Sequence, residues 1–198
     1  MNLTATLRAE YCKLYSTCEI RPDWKARVKA SADTLMKGRT RYASVAAKMQ
    51  NGMPWFVVGL IHAMECDFSF SRHLHNGDPL TARTVNVPKG RPTTGKPPFS
   101  WEASAEDALR WEGTAARTDW SLPSVLHFLE GYNGWGYRKY HPDVLTPYLW
   151  SGSRHYTAGK YAADGKWSQT LVSKQVGAAV LLKELIDTKR SEEHTSEL

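Results

Sequence analysis

The stretch IHAMECDFSFSRHLHNGDPLTART, from Ile61 to Thr84, holds Glu65 inside an apolar run. Asp78 follows thirteen positions later in an Asn-Gly-Asp-Pro turn, and Thr84 six positions after that. In a helix starting near Pro54, Val58, Ile61, His62 and Glu65 share one stripe, because steps of three and four residues return to the same face. Glu65 thus continues an apolar face. A carboxyl in such a place loses hydration and is pushed toward its neutral form, which is what a general acid needs near neutral pH. The same position also suits a Glu paired with Arg or His at a helix end. Asp78 shifts the balance. An acid at the end of a buried helix, followed by an Asp and a Thr on a turn, is suited to glycoside cleavage. One group protonates the leaving oxygen, and the other directs water or stabilises positive charge at the sugar carbon.

The elements that must position these groups are mostly helical. Leu3 to Tyr15 and Asp23 to about Met49 carry apolar residues at helical spacing, with Ile20-Arg21-Pro22 as a stop between them. Asn51-Gly52 makes a turn, and Pro54 sits where the first turn of a helix tolerates it, so a buried central helix is expected to follow. From His73 to Pro98 the Asn-Gly-Asp-Pro turn, short β-favouring pieces and many prolines predict a small hairpin and a loop. Ala103 to Trp111, Ser121 to Glu130 and Ser173 to Asp187 read as helices. EGYNGWGYRKYHPD and YLWSGSRHYTAGKYAADGKWS read as aromatic, Gly-rich connections. The chain therefore reads as mostly helix with one small hairpin.

With 198 residues, 41% of them hydrophobic, the chain has enough apolar material for one well-filled core and is short for two domains of ordinary size. One domain is expected over residues 1–189. The last nine residues, RSEEHTSEL from Arg190 to Leu198, resemble a translated sequencing adapter and are expected to be a non-native remnant. Removing their one Arg and three Glu raises the formal charge from +6 to +8. Basic charge favours polyanionic partners, yet the Lys and Arg residues are interspersed with acids and apolar residues. No helix-turn-helix, zinc-finger or RNA-binding signature accompanies them, so nucleic acid is not an expected partner. No window reaches the roughly 18 apolar residues of a membrane span. The N-terminus lacks the basic segment and long apolar run of an export signal, so synthesis in the cytoplasm without a signal peptide is expected.

Other chemistries fit less well. His62, His73 and His75 with Asp67 could suggest zinc, but no HExxH motif or matched cysteine set supports it, and neither a metal nor any other cofactor is expected. Cys12, Cys18 and Cys66 lack paired spacing and read as free thiols. Cys66 points about 100° around the helix from Glu65 and has no nameable His/Asn partners, so a thiol nucleophile is not indicated. Ser69 and Ser71 lie outside any GxSxG context.

The stretch GLIHAMECDFSFSRHLHNGDPLTARTVNVPKGRP resembles a bacterial and phage group of lysozyme-family proteins. The order Glu65, Asp78, Thr84 is similar to the Glu, Asp, Thr set of phage-type lysozymes: the Asp-to-Thr step matches, and the Glu-to-Asp step is several residues longer. EGYNGWGY is similar to the Ala-Tyr-Asn-(Ala/Gly)-Gly segment of goose-type lysozymes and lytic transglycosylases, with Gly131 in place of Ala and Trp135 where a Gly is usual. This resemblance covers most of Leu3 to Leu185.

What it implies is a lysozyme-like α+β fold, mostly α, with helices around a central one and a small β-hairpin forming one wall of a cleft. The implied activity is a muramidase cleaving β-1,4 links in peptidoglycan or a related amino-sugar polymer. Glu65 would be the acid, Asp78 the base or electrostatic partner and Thr84 a water-orienting hydroxyl. His75, Asn76, Tyr132, Asn133, Trp135, Tyr137 and Trp150 are expected to bind substrate, the aromatic ones by stacking on sugar faces, although core packing is the alternative for about half of the aromatic set. A monomer is expected, reaching the wall through a holin-like pore or cell lysis. A lytic transglycosylase, with Glu65 as acid then base, remains open, as does a wall-binding module without catalysis.

Overall fold

A computed structural model describes residues 1–163 and 165–195, with side chains as far as Thr188; the terminal stretch Arg190–Leu198 thus lies beyond the described side chains, and 196–198 outside the described residues altogether. Two compact units form. One comprises Met1–Asp33 with Ser121–Leu198, the other Thr34–Trp120. The chain is predominantly helical with one small antiparallel sheet, an α+β arrangement weighted to α. Among the described residues no helix is long and apolar enough to cross a membrane.

The 34–120 unit is built around α4, Trp55–Cys66, in which Val57 to Met64 and Cys66 are all buried. Pro54 in extended conformation starts it, and Asp67 in the left-handed region, φ 48°, ends it; Asp tolerates that region better than most side chains. The long helix expected over Asp23 to Met49 is two helices, α2 (Lys25–Lys37) and α3 (Arg39–Lys48), separated at Gly38. A side chain at Gly38 would meet the Tyr42 ring at 2.4 Å, so the break also makes room for Tyr42. That ring is the hub of the unit's core. It lies near-parallel to Trp55 and Phe70 and edge-on to Trp101, and its hydroxyl is 3.0 Å from His62 Nδ1. The helix α5, Trp101–Trp111, begins where Ser100 Oγ accepts the Ala103 N–H.

In the other unit α1 (Ala5–Ser16) packs on α6 (Leu122–Asn133). Short helices α7 (Gly136–Tyr140) and α8 (Pro147–Trp150) follow, then strands β1 (Lys160–Ala163) and β2 (Lys166–Ser168), and α9 (Ala178–Thr195). The strands pair antiparallel with Lys160 opposite Ser168 and Tyr161 opposite Trp167. A buried clasp ties α1 to α6 and α7. Glu130 accepts from Tyr11 Oη at 2.6 Å and from Arg138 Nη2 at 2.9 Å, its other oxygen forms an ion pair with the same guanidinium at 2.8 Å, and Arg138 also pairs with Glu10.

One expectation is corrected. The hairpin predicted within His73–Pro98 does not form as strands: only an isolated bridge joins Arg72 to Pro79. Prolines 79, 88, 92, 97 and 98 have no N–H to donate, so a ladder cannot propagate through the segment. The hairpin lies instead at β1–β2, within a stretch read as an aromatic connection.

Candidate functional site

Glu65 stands on the last turn of α4, only partly buried among neighbours that are almost wholly enclosed. The chain then reverses. His73 N–H donates to Asp78 O at 2.7 Å, Leu80 N–H to Ser71 O at 3.0 Å, and Gly77 N–H to His73 O at 2.9 Å, which closes a tight turn. Gly77, the residue before Asp78, lies against the Glu65 carbonyl: at φ 78° it has a backbone suited to glycine, and an added Cβ would fall 2.7 Å from Glu65 O. The turn is thus packed onto the helix end that carries Glu65. Cys66 adds a second tie, its thiol donating to His73 O at 3.3 Å. Burial, with Glu65 beside it, pushes that thiol up to about 12, so it stays protonated and inert as a nucleophile.

Asp78 is buried and points into the following loop. Its Oδ2 accepts the N–H groups of Val85 (2.8 Å) and Asn86 (3.0 Å), and its Oδ1 accepts the Asn86 side-chain amide at 2.7 Å. Burial alone would raise this carboxyl. The hydrogen bonds from Asn86, Val85 and Asn76 outweigh it and hold Asp78 below the ordinary value, hence ionised at neutral pH. Asn76 accepts the Asp78 N–H and donates to Val87 O, so it braces the same turn. Thr84 is buried, and its hydroxyl donates to Pro88 O while accepting the Arg91 N–H at 2.9 Å. The backbone reinforces that closure, Thr84 N–H donating to Arg91 O and Gly90 N–H to Thr84 O, both at 2.8 Å. The three residues of the predicted catalytic set therefore belong to one folded-back segment, in which Asp78 and Thr84 organise residues 84–91.

His75 is buried, with Nε2 2.8 Å from Asp107 Oδ2 on α5. Asp107 also takes a two-pronged bond from Arg91, at 2.9 and 2.7 Å. Burial lowers the His75 pKa in spite of that carboxylate. Neither Asp107 nor Arg91 stood out in the sequence. They lie sixteen positions apart in unlike segments, and their shared work of fixing the loop to α5 is a tertiary fact with no local signature. His73 is fully enclosed between Ser104 Oγ (2.7 Å) and Ala82 O (2.8 Å), and His62 sits among Tyr42, Phe68, Phe70 and Trp101. Burial drives His62 down to about 4. Among the described residues no three His, Cys, Asp or Glu side chains converge as a metal would require.

The 1–33/121–198 unit contains a cavity of about 480 Å³, lined by the phenol rings Tyr137, Tyr140, Tyr148 and Tyr161 with Asn133 and Gln175 among the polar groups. Of the residues expected to bind substrate, Asn133 and Tyr137 line it. Tyr132 stands edge-on to Phe128. Trp135 rests on His127, and over Gly131 a Cβ would lie 2.9 Å from its ring. The absent methyl at 131 thus admits the indole at 135. Trp150 is corrected. It is 0% exposed, edge-on to His155, and a ring with no free face cannot stack on a sugar. Glu130 was not singled out in the sequence either, although a Glu before an aromatic, Gly-rich run is visible there; its partners Tyr11 and Arg138 come from separate helices.

Comparison with protein-family models, with curated proteins and with solved structures gave no match.

Proposed function

We propose that the protein is a lysozyme-like glycoside hydrolase that cleaves β-1,4 links between amino sugars of peptidoglycan, with Glu65 as general acid. The observation that carries this reading is the fold-back. A carboxylate on the last turn of an apolar helix has the turn bearing a second, ionised carboxylate packed on its own carbonyl. Unlike environments for two carboxyl groups are what acid and electrostatic partner require. Asp78 then acts through its negative charge, and Thr84 through the loop that holds Asp78 in place. Access to the wall would follow a pore or lysis.

A second reading has one specific observation in its favour. Three of the donors around Asp78 come from residues 85 and 86, and a carboxylate so engaged and so acidic is a weak base for activating water. A transglycosylase that uses Glu65 alone needs no such base. Mass spectrometry of wall digests distinguishes the two: hydrolysis leaves reducing ends, transglycosylation leaves anhydro ends. In either case Glu65→Gln is expected to lower the rate at least about 100-fold with folding intact. Retention of most wall-lytic activity by that variant would remove Glu65 from the chemistry, and an unmodified glycan after digestion with the parent protein would leave only a binding module.

A further inference from the structure

The 34–120 unit leaves three large apolar side chains exposed, Val85 at 68% and Val87 at 88% on one loop and Trp111 at 55% at the end of α5. The Val pair is displayed by construction. Asn86 between them, itself exposed, gives its backbone and side-chain N–H groups to Asp78, and this fixes the backbone from which both valines project into solvent. Trp111 belongs to the same surface because Arg91, whose backbone closes the loop on Thr84, lies with its guanidinium 4.8 Å above the indole. The loop's own run is one-signed, while Asp107 lies against Arg91 and Glu112 follows Trp111. From Pro79 to Trp101 the chain has no acidic residue, while Arg83, Lys89, Arg91 and Lys96 are basic. Of these, Arg91 is neutralised by Asp107, and Lys89 and Lys96 are exposed.

We propose that this loop docks the protein on an anionic lipid bilayer. A side chain with nearly nine-tenths of its surface free stands on a convex tip, which suits a deformable interface better than the rigid groove a protein partner would need. Val85 and Val87 would enter the boundary between headgroups and acyl chains. Trp111 would sit at headgroup level, where an indole with one apolar and one polar edge is favoured, and Lys89 and Lys96 would meet the lipid phosphates. Such docking is peripheral, and it rests on features independent of glycan cleavage.

The test is co-sedimentation of the full chain with phosphatidylglycerol-containing vesicles against pure phosphatidylcholine vesicles, with melting temperature as the folding control. The parent protein is expected to partition onto the anionic vesicles only. Val85→Ser/Val87→Ser alters side chains that lie in solvent, and is expected to weaken partitioning at least about 10-fold at unchanged melting temperature. Lys89→Gln and Lys96→Gln are expected to weaken it roughly 5-fold each. The proposal fails if the parent does not bind anionic vesicles. It fails equally if the Val pair can be replaced without loss, since scattered basic charge then accounts for binding, or if an acidic protein is retained more tightly than the vesicles in the same assay.

Discussion

Two glycines in the left-handed region, Gly77 and Gly165, mark chain reversals that are stabilised in opposite ways. The second lies in a backbone-paired hairpin: β1 and β2 satisfy one another's N–H and C=O groups, and Tyr161 meets Trp167 across the ladder. The first is followed by a proline-rich run that cannot build a ladder. There, side chains replace the missing backbone partners, Asp78 accepting the amides of residues 85 and 86 and Thr84 that of residue 91. A backbone-paired turn depends little on which side chains it carries. A side-chain-pinned loop depends on a few of them strongly, and it can place a charged or apolar group at a chosen point, which is where a site belongs.

The contrast can be broken most directly at the glycines. Gly77→Ala puts a methyl 2.7 Å from Glu65 O at a backbone angle that side chains disfavour, and the obstructing atom is main chain that cannot swing away. We expect a loss of about 3 kcal/mol or more, read by denaturant unfolding, together with displaced Glu65 and reduced wall lysis. A loss under about 1 kcal/mol would mean that the turn is not held against the helix.

Next in size is Asp78→Ala, which leaves the amides of Val85 and Asn86 and the Asn86 side chain without their acceptor. About 3 kcal/mol is expected, limited by the loop's freedom to open and hydrate. The same carboxylate gives the loop a sign in pH. Its folded pKa is depressed, so its contribution is complete above the ordinary Asp value near 4 and is lost as pH falls through the lower folded value. Amide exchange measured down this range should show Val85 and Asn86 losing protection when the pH drops below about 4, while β1–β2 amides do not follow.

The helices were legible because their signal is local. α1, α4, α5 and α6 carry apolar residues at three- and four-residue steps, and Pro54 and Ser100 mark two of the starts. The hairpin was missed although Asp164-Gly165 between aromatic flanks is a hairpin signal, because strands of four and three residues give periodicity no length in which to show. The segment after Asn76-Gly77 carries hairpin turn chemistry, but its prolines forbid a ladder. At the candidate site, Glu65 and Asp78, close in sequence, share one fold-back. Type could not separate Trp150, wholly enclosed, from Tyr140, largely exposed, since both are aromatic; burial is set by partners far along the chain. Asp107 and Arg91 were illegible for the same reason.

A smaller effect is expected at Thr84. Thr84→Val keeps the shape and removes the hydroxyl that bridges Pro88 O and Arg91 N–H, at a cost of about 1 to 2 kcal/mol with the backbone closure between Thr84 and Arg91 still in place. Wall lysis should fall only in proportion to loop opening. A loss as large as that of Glu65→Gln, at unchanged stability, would instead give the hydroxyl a direct part in the chemistry.

The smallest effects are expected in the hairpin, and they complete the contrast. Gly165 has φ 66°, but nothing lies within 4 Å of where its Cβ would be, so Gly165→Ala meets conformational strain without a clash and should cost about 1 kcal/mol. Lys166→Gln changes an exposed strand residue whose contribution is its backbone, and should stay within about 0.5 kcal/mol. Thermal unfolding of the two glycine variants side by side is the decisive measurement, because both replace a left-handed glycine by the same residue and differ only in what the new methyl meets. If Gly165→Ala proved as damaging as Gly77→Ala, backbone strain alone would set both costs, and the close packing of the Asp78 turn on the Glu65 carbonyl would no longer distinguish the proposed catalytic segment from an ordinary turn.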